Sequence, residues 1–259
     1  MKKFYLLAVM AVISLSVSAQ QTLNISTYSG SDLTKYEGLT KNVSLNRYMF
    51  QGWNTICLPI SLTEAEVNEA FGSDCRLETL VGVENNGAEI ILNFQDVKEG
   101  GIQANHPYII YFNNETQNVR VSKENATIKN DNTTVSFSDN QGITVTFAGT
   151  YKKHDSKGLY GILAKDNSES SFVNVDNYPN GFFATRCFIT LSNGNSTTLK
   201  ANHIKAGDIT AINSVLASNE RVDVYNVSGV KVGQNMSVND INSLNKGVYV
   251  IKGKKIAVK

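Results

Sequence analysis

The residues most capable of chemistry in this chain are its three histidines and three cysteines. The histidines, His106, His154 and His203, stand far apart, and none has a second ligand at the spacing of a known metal site. The chain also has no H-E-x-x-H pair, G-x-S-x-G turn, glycine-rich phosphate loop or Cys-x-x-Cys pair. We therefore predict no catalytic residue, no metal site and no cofactor.

The cysteines leave two questions that the sequence alone does not decide. Cys57 could pair with His106 in a catalytic site, but it lies in the apolar run T-I-C-L-P, where a thiol is inert rather than activated. An odd count of cysteines excludes a complete disulfide framework. Two alternatives remain: one bridge between Cys57 and Cys187, or buried free thiols, Cys75 included, that pack as small hydrophobic side chains.

Aromatic residues offer a second kind of chemistry, because sugar-binding faces present exposed rings. Trp53 is the only tryptophan and precedes the most apolar predicted strand, so we expect it to pack in the core or at its rim. An exposed row of tyrosines on one sheet face would instead favour carbohydrate binding. The tyrosines that could form such a row are Tyr108, Tyr111, Tyr151 and Tyr160.

Short predicted β-strands, separated by turn residues, must position these side chains. Their number and even spacing predict an antiparallel β-sandwich, mainly β in class. A capping box at Thr63–Glu66, with Gly72 at the far end, predicts one short helix. The predicted strands are Asn54–Pro59, Leu77–Val83, Glu89–Phe94, Tyr108–Phe112, Thr134–Phe137, Ile143–Phe147, Leu159–Leu163, Phe172–Val175 and Thr185–Leu191.

The amino terminus has the three parts of a signal peptide. Lys2 and Lys3 precede an apolar run, and Val17-Ser18-Ala19 forms the small-residue exit, which predicts cleavage between Ala19 and Gln20. The apolar run is too short to span a bilayer, and no later segment is long enough. We therefore expect an exported, water-soluble protein with no transmembrane segment.

Charge is distributed unevenly along the chain. The net charge is +1, and 41% of the residues are hydrophobic, which is enough for a substantial core. The segment from Arg221 to Lys259 carries seven basic and two acidic residues, whereas the region between the signal peptide and this tail is mildly acidic. A nucleic-acid partner is not expected, because that partner requires a basic face on the main domain.

The carboxyl-terminal tail has the pattern of a small β unit. Val222 and Val224 share one face, and the turn Asn226–Gly229 lets Val230 and Val232 return. A glycine at the first position of a two-residue loop predicts a type II′ hairpin turn at Gly253-Lys254. Two hairpins alone are marginal in water, so we expect the unit to pack on the body or on itself. The predicted register pairs Ile251 with Ile256 and Tyr249 with Val258.

This tail resembles the carboxyl-terminal sorting module of the type IX (Por) secretion system. That family shares a V-Y-x-x-x-G-x-x-V start and a G-x-Y-I-V-x-G-K-K-x-x-x-K finish. The resemblance implies export to the cell surface and makes the export machinery a partner. The matching positions are Val224, Tyr225, Gly229, Val232, Gly247, Tyr249, Val250, Gly253, Lys254, Lys255 and Lys259.

The body resembles a β-rich module of secreted bacterial surface proteins. The resemblance implies a β-sandwich at the cell surface and supplies no catalytic residues. It covers most of the mature chain. The matching segments are L-N-R-Y-M-F-Q-G-W-N-T-I-C-L-P-I (45–60), the helix end at Phe71 and Gly72, A-N-H-P-Y-I-I (104–110), F-A-G-T-Y (147–151) and A-T-R-C-F-I-T-L (184–191).

We divide the chain into a signal peptide (1–19), a sandwich body (20–207), a linker (208–220) and a sorting-like β module (221–259). The predicted function is an exported, non-catalytic surface or secreted binding protein of the adhesin or interaction-module type, with a glycan or protein ligand. One alternative is a carbohydrate-binding accessory protein, and another is a hydrolase or protease with an unrecognised site. The expected location is the outer cell surface or the medium, or the periplasm if the tail is not a sorting signal.

Overall fold

The structure is a computed structural model, and it describes residues 22–27, 31–85, 87–131, 134–139, 141–163, 169–193, 198–204, 221–226, 228–245 and 247–258. The predicted signal peptide, the cleavage site between Ala19 and Gln20, the linker 208–220 and Lys259 lie outside these residues.

Seventeen strands and two α-helices make up the regular structure of the described residues, with short 3-10 turns at Thr34–Tyr36 and Lys98–Gly100. The helices are α1 (Glu64–Phe71) and α2 (Val238–Asn242). The body strands are β1 (Thr22–Ser26), β2 (Thr40–Met49), β3 (Gly52–Ile56), β4 (Arg76–Asn85), β5 (Ile90–Asp96), β6 (Tyr108–Phe112), β7 (Gln117–Thr127), β8 (Thr134–Ser138), β9 (Thr144–Gly149), β10 (Tyr160–Gly161), β11 (Phe172–Asn174), β12 (Cys187–Ser192) and β13 (Thr198–Ile204). The tail strands are β14 (Val222–Asn226), β15 (Lys231–Met236), β16 (Gly247–Ile251) and β17 (Lys254–Val258).

The body strands form two sheets. A three-stranded sheet has the order β1-β2-β7, and a curled ten-stranded sheet has the order β3-β6-β4-β5-β13-β11-β10-β12-β9-β8. The ladders are antiparallel except β1 with β2 and β5 with β13, which are parallel. The fold class is therefore confirmed: the protein is mainly β and sandwich-like.

Both body sheets contribute side chains to one apolar core. On β7, Val119 and Val121 are buried while Arg120 and Ser122 are exposed, which is the two-residue period of a sheet with one wet face. The rings of Phe94, Phe147 and Phe172 meet in this core with centroids 5.7 to 6.0 Å apart. Edge-to-face and offset contacts of this kind add to the burial of apolar area.

The predicted helix is confirmed as α1. Thr63 Oγ1 accepts a hydrogen bond from the Glu66 amide, and the Glu66 carboxylate accepts one from the Thr63 amide. Val67 and Phe71 on its inner face are buried. Lys123 Nζ of β7 lies 2.6 Å from Glu66 Oε1, so an ion pair ties the helix start to the smaller sheet.

Several predicted strand boundaries change in the structure. The predicted strand Leu159–Leu163 shortens to β10, and Thr185–Leu191 begins only at Cys187, because Thr185 has a φ of 67° that no extended strand adopts. The sequence interpretation missed β1, β2, β7 and β13. In β7 the polar residues outnumber the buried ones, so its apolar alternation is hidden in the sequence.

The tail forms a four-stranded sheet of order β15-β14-β16-β17 with a small apolar core of its own. Of the two arrangements that the sequence left open, the tail thus packs on itself. The chain returns after the turn as predicted, since β15 pairs antiparallel with β14, and the side chains of Val230 and Val232 are exposed. A second capping box, between Ser237 and Asp240, begins α2. The buried core residues are Val224, Ile241, Ile251 and Ile256.

The predicted turn of the last hairpin is wrong by one residue. Ile251 pairs with Lys254 and Tyr249 with Ile256, so the loop is Lys252-Gly253. Both loop residues have positive φ, 50° and 76°, which is the type I′ turn that matches the twist of the flanking strands. The partner of each residue moves by two positions, so the apolar residues keep the faces that the sequence predicted.

Candidate functional site

Two cavities share a wall on the surface of the body, and we name them together the Tyr178 groove. The first, of about 380 Å³, is lined by residues 153–156 and 178–181. The second, of about 220 Å³, is more apolar. Ser156, Tyr178, Asn180 and Gly181 line both. The second cavity is further lined by Phe50, Ile162, Leu163, Phe182, Phe183 and Arg186.

Two loops are pinned together to form this groove. His154 and Phe182 exchange two backbone hydrogen bonds of 2.8 Å each, which is an isolated antiparallel bridge. Ser156 Oγ donates to the Tyr178 carbonyl at 2.9 Å, and the Tyr178 amide donates to the Val175 carbonyl at 2.8 Å. The backbone of the groove is therefore fixed on both sides before any ligand binds.

The exposed ring of the groove is Tyr178, with 47% of its surface accessible. Phe182 packs instead on Phe188, with ring centroids 5.4 Å apart. The groove thus presents one exposed aromatic ring beside an amide, Asn180, and three ionic side chains, Lys153, Asp155 and Arg186. A concave site with an apolar surface and a few polar groups is the usual form of a binding site for a small or flexible ligand.

The four tyrosines proposed from the sequence as a sugar-binding row do not form one. Tyr108, Tyr151 and Tyr160 are buried. Tyr111 is half-buried and meets the ring of Trp53 edge-on at 5.3 Å. Trp53 itself is only 4% exposed, so its predicted packing role is confirmed. The aromatic residue that the sequence interpretation missed is Tyr178, in a loop with no strand pattern.

A second polar centre lies inside the body, and we name it the Arg47 cluster. It consists of Arg47, Thr55, Cys57, Asn105, Tyr151, Thr185 and Cys187, all of which are buried. Four of the five segments that carry the proposed resemblance of the body meet here, since 45–60, 104–110, 147–151 and 184–191 each contribute at least one member, whereas the helix end at Phe71 and Gly72 contributes none. Their positions in the sequence gave no sign that they would meet.

All the described hydrogen-bond partners of Arg47 are neutral groups. Its guanidinium donates to the Thr55 carbonyl, the Thr185 carbonyl and, at 2.7 Å, Thr185 Oγ1. Burial, and then the nearby charge of Arg186, lower the pKa of Arg47. A buried cation is costly unless its donors are satisfied, so the carbonyl groups around Arg47 are a structural requirement.

Thr185 has a strained backbone that this cluster fixes in place. A positive φ is a true outlier for a β-branched residue, and it costs free energy that the surroundings must supply. The Thr185 carbonyl accepts from Arg47 and from the Cys57 amide, and its amide donates to the Thr150 carbonyl at 2.7 Å. These three bonds determine the conformation of the residue.

A third feature is a hydrogen-bonded relay of hydroxyl, imidazole and carboxylate groups. His203 Nε2 lies 2.6 Å from Ser170 Oγ, and His203 Nδ1 lies 2.5 Å from Glu78 Oε2. Glu78 also pairs with Arg76, and the His203 ring stacks on Trp53 at 4.4 Å. The order of groups is that of a nucleophile, a base and the group that orients the base.

The hydroxyl group of the relay is buried. Ser170 is 2% exposed, so Ser170 Oγ is out of reach of a carbonyl carbon in this conformation. Sequence reasoning missed the relay because its members are 33 and 125 residues apart and carry no local motif. The alternative pairing that the sequence left open, Cys57 with His106, is not formed. His106 Nε2 lies 2.6 Å from Thr79 Oγ1, while Cys57 Sγ contacts the Tyr151 hydroxyl.

The positions that resemble a sorting module come together in the tail sheet. β14 pairs with β16, with Tyr225 opposite Val250, so the two halves of the motif lie side by side. Val224 is buried, whereas Val232 is exposed. Gly229 and Gly253 occupy the two turns, and Gly247, Tyr249, Lys254 and Lys255 lie on β16 and β17.

Within the part of the chain that the structure describes, no three His, Cys, Asp or Glu side chains are grouped so as to hold a metal ion. The same residues include no helix with the length and apolar character required to cross a bilayer. Comparison with protein-family models, with curated proteins and with solved structures finds no match for this chain.

Proposed function

We propose that this chain is an exported, non-catalytic binding protein of the adhesin or interaction-module type. The observation that carries the proposal is the Tyr178 groove, in which an exposed aromatic ring stands beside amide and ionic side chains on a pinned backbone. An exposed tyrosine contributes contact area at little cost in conformational entropy, which is why this residue is common in binding sites. The ligand is a glycan or a polar segment of protein.

The groove favours the glycan. The Tyr178 ring offers a flat face on which a sugar ring can stack, and Asn180, Asp155 and Lys153 supply donors and acceptors at its side. A purely apolar peptide would displace water from these polar groups without offering them hydrogen bonds, which costs free energy. Carbohydrate binding, one of the alternatives from the sequence, is thus supported by Tyr178, which is not among the four tyrosines first considered.

A binding screen of the mature chain against glycans and extracellular matrix proteins tests this proposal. Tyr178→Ala should weaken any binding found by tenfold or more, as expected for the central aromatic residue of a site. Leu39→Ala is the matched control, because Leu39 is also an exposed large apolar residue, 43% accessible, and lies outside the groove. Equal affinities for the wild type and Tyr178→Ala would exclude the groove as the binding site.

The proposed route to the cell surface depends on the tail. Its two motif halves form one sheet with its own core, and a receptor of the export machinery can read such a unit as a surface. Removal of Arg221–Lys259 should leave the protein in the periplasm, as measured by fractionation of the producing cells. Delivery of the shortened chain to the exterior would show that the tail is not the sorting signal.

The relay of Ser170, His203 and Glu78 favours one second candidate function, a serine hydrolase. We place it second because the Ser170 hydroxyl is buried. A fluorophosphonate probe distinguishes the two candidates, since it reacts covalently with an activated serine. Labelling that disappears in Ser170→Ala would support the hydrolase, and no labelling of the wild type would exclude it.

A further inference from the structure

Gly149 and Cys187 are paired partners on β9 and β12 of the larger sheet. Side chains of paired residues point to the same face, with Cβ atoms about 4.5–5.5 Å apart. Gly149 has no side chain, so the position opposite Cys187 is vacant on β9.

Cys57 fills this vacant position from another part of the chain. A Cβ atom built on Gly149 would lie 2.5 Å from Cys57 Cβ and 2.4 Å from Cys57 Sγ. The Cys57 side chain therefore occupies the place of a cross-strand neighbour of Cys187. Both residues are completely buried.

The backbones of the two cysteines are also fixed to each other's segments. The Cys57 amide donates to the Thr185 carbonyl at 3.0 Å, and the Cys187 amide donates to Thr55 Oγ1 at 2.9 Å. Each bond joins one cysteine to the residue two positions before the other. The segments 55–57 and 185–187 thus lie alongside each other.

Both cysteines are buried free thiols in the structure. The hydrogen bond from the Cys187 thiol, with help from the Tyr151 hydroxyl and the charge of Arg47, lowers the pKa of Cys57 despite its burial. Burial raises the pKa of Cys187.

We propose that Cys57 and Cys187 are joined by a disulfide bond when the protein folds in an oxidising compartment, and that Cys75 remains a free thiol. We infer the pairing of Cys57 with Cys187 from the geometry of β9, β12 and the segment after β3. The assumption that the chain folds in an oxidising compartment depends on the proposed export. A disulfide requires Cβ atoms about 3.5–4.5 Å apart, which neighbours across a sheet reach with a small adjustment.

The reaction needs a partner disulfide as the oxidant. The Cys57 thiolate attacks one sulfur of that disulfide, and the other sulfur leaves as a thiolate. The Cys187 thiolate then attacks Cys57 Sγ and displaces the oxidant's first sulfur. The protein gives up two electrons and two protons, and the oxidant takes up two electrons and, from solvent, two protons, so that its disulfide is reduced to two thiols. Because both cysteines end completely buried, this exchange takes place before the core closes.

Refolding of the reduced mature chain in a glutathione redox buffer tests the pairing without any assumption about export. The folded product is denatured without reductant and labelled with a maleimide–polyethylene glycol. The expected result is one label, on Cys75, and three labels after reduction. Digestion without reductant should yield a peptide pair that joins Cys57 to Cys187.

Two variants serve as matched controls. Cys75→Ser should accept no label before reduction, and Cys187→Ser should accept two. Reduction should lower the thermal midpoint of the wild type by on the order of 10 °C, because the bond closes a long loop, but should leave that of Cys187→Ser unchanged. Three labels on the unreduced wild type, or a bridge that contains Cys75, would overturn the inference.

The same labelling of protein recovered from the producing bacterium separates the pairing from the export. A bridge in the refolded protein and in the recovered protein supports both. A bridge in the refolded protein alone supports the pairing and counts against export through an oxidising compartment.

Discussion

The Arg47 cluster shows how single residues fix distant segments of this protein. Arg47 is a buried cation that donates to carbonyl groups of Thr55 and Thr185, which lie in different quarters of the chain. Its loss would remove these bonds, although the Thr185 carbonyl would keep the one from the Cys57 amide; a buried acceptor left unsatisfied costs about 1–3 kcal/mol. The cation is thus retained for the position that it imposes on its neighbours.

A methyl group at position 149 should disturb this cluster. Gly149→Ala places a Cβ atom on the Cys57 side chain, which has no free space to move because it is completely buried. We expect a loss of about 2–3 kcal/mol in the free energy of unfolding, the usual cost of overpacking a core. Urea denaturation followed by the fluorescence of Trp53 measures it.

Gly100→Ala is the matched control for this substitution. A Cβ atom at Gly100 meets no other atom within 4 Å, so the free energy of unfolding should change by less than about 0.5 kcal/mol. A wild-type stability for Gly149→Ala would mean that Cys57 does not occupy the space above the glycine.

The sequence offered a bridge between Cys57 and Cys187 only as one of two alternatives and could not decide whether the two residues meet. Cys57 and Cys187 each lie in an apolar run, and this explains why burial was predictable for both. Whether they meet depends on the register of β9 against β12 and on the missing side chain of Gly149. Ser170, His203 and Glu78 were likewise not predictable as neighbours, because only the order of the strands in the larger sheet brings them together.

At the scale of elements, local signals explain which parts of the structure were predictable. The α1 helix was predicted with its first residue because the capping box at Thr63 lies within a single turn. In the last hairpin the apolar residues lie on the predicted faces, but the turn is one residue earlier than predicted. The reason is that Lys252 adopts a positive φ, which glycine would usually supply. Strands β2 and β13 were missed because their partners lie far away in the chain.

The start of α1 should make stability depend on pH. The hydrogen bond from Lys123, with the amide and hydroxyl of Thr63, lowers the pKa of Glu66. A carboxyl group with a lowered pKa in the fold stabilises the protein above its unfolded pKa of 4.5, and the contribution is lost as pH falls through the lower folded value.

Glu66→Gln should therefore reduce the free energy of unfolding by about 1 kcal/mol at pH 7. The difference from the wild type should shrink at acidic pH, where the protonated wild-type side chain resembles glutamine. Urea denaturation at the two pH values measures this. Glu69→Gln, at an exposed position of the same helix, is the control and should show no such dependence. A difference for Glu66→Gln that stays constant with pH would contradict the ionic contribution.

At the scale of the whole molecule, the chain has separate apolar cores for the body and the tail. The sequence predicted a mainly β protein, which the structure confirms, and a small β unit in the tail, because the tail has its own alternating pattern. It did not predict that four buried residues and α2 would give this tail a core. That result depends on β14 lying between β15 and β16.

Separate cores should give separate responses to mutation. Ile251→Ala removes a completely buried side chain from the tail core and should cost about 3 kcal/mol there. Hydrogen exchange measured by mass spectrometry should then become up to about 100-fold faster in β14, β16 and β17 and stay unchanged in β4 and β5.

Val232→Ala is the control for the tail, because Val232 is a tail valine that stays exposed. It should leave exchange near the wild-type rate. Faster exchange throughout the body in Ile251→Ala would show that the tail and the body unfold as one unit.

The place of β13 in the larger sheet bears on when the body can fold. β13 lies between β5 and β11, so residues near position 200 complete a ladder that begins near position 90. A polypeptide that emerges from a narrow channel with its amino end first cannot close this sheet until nearly all of the body has passed. Such non-local pairing makes folding slow. In the export that we propose, the larger sheet would therefore be completed only after residues near position 200 have left the channel.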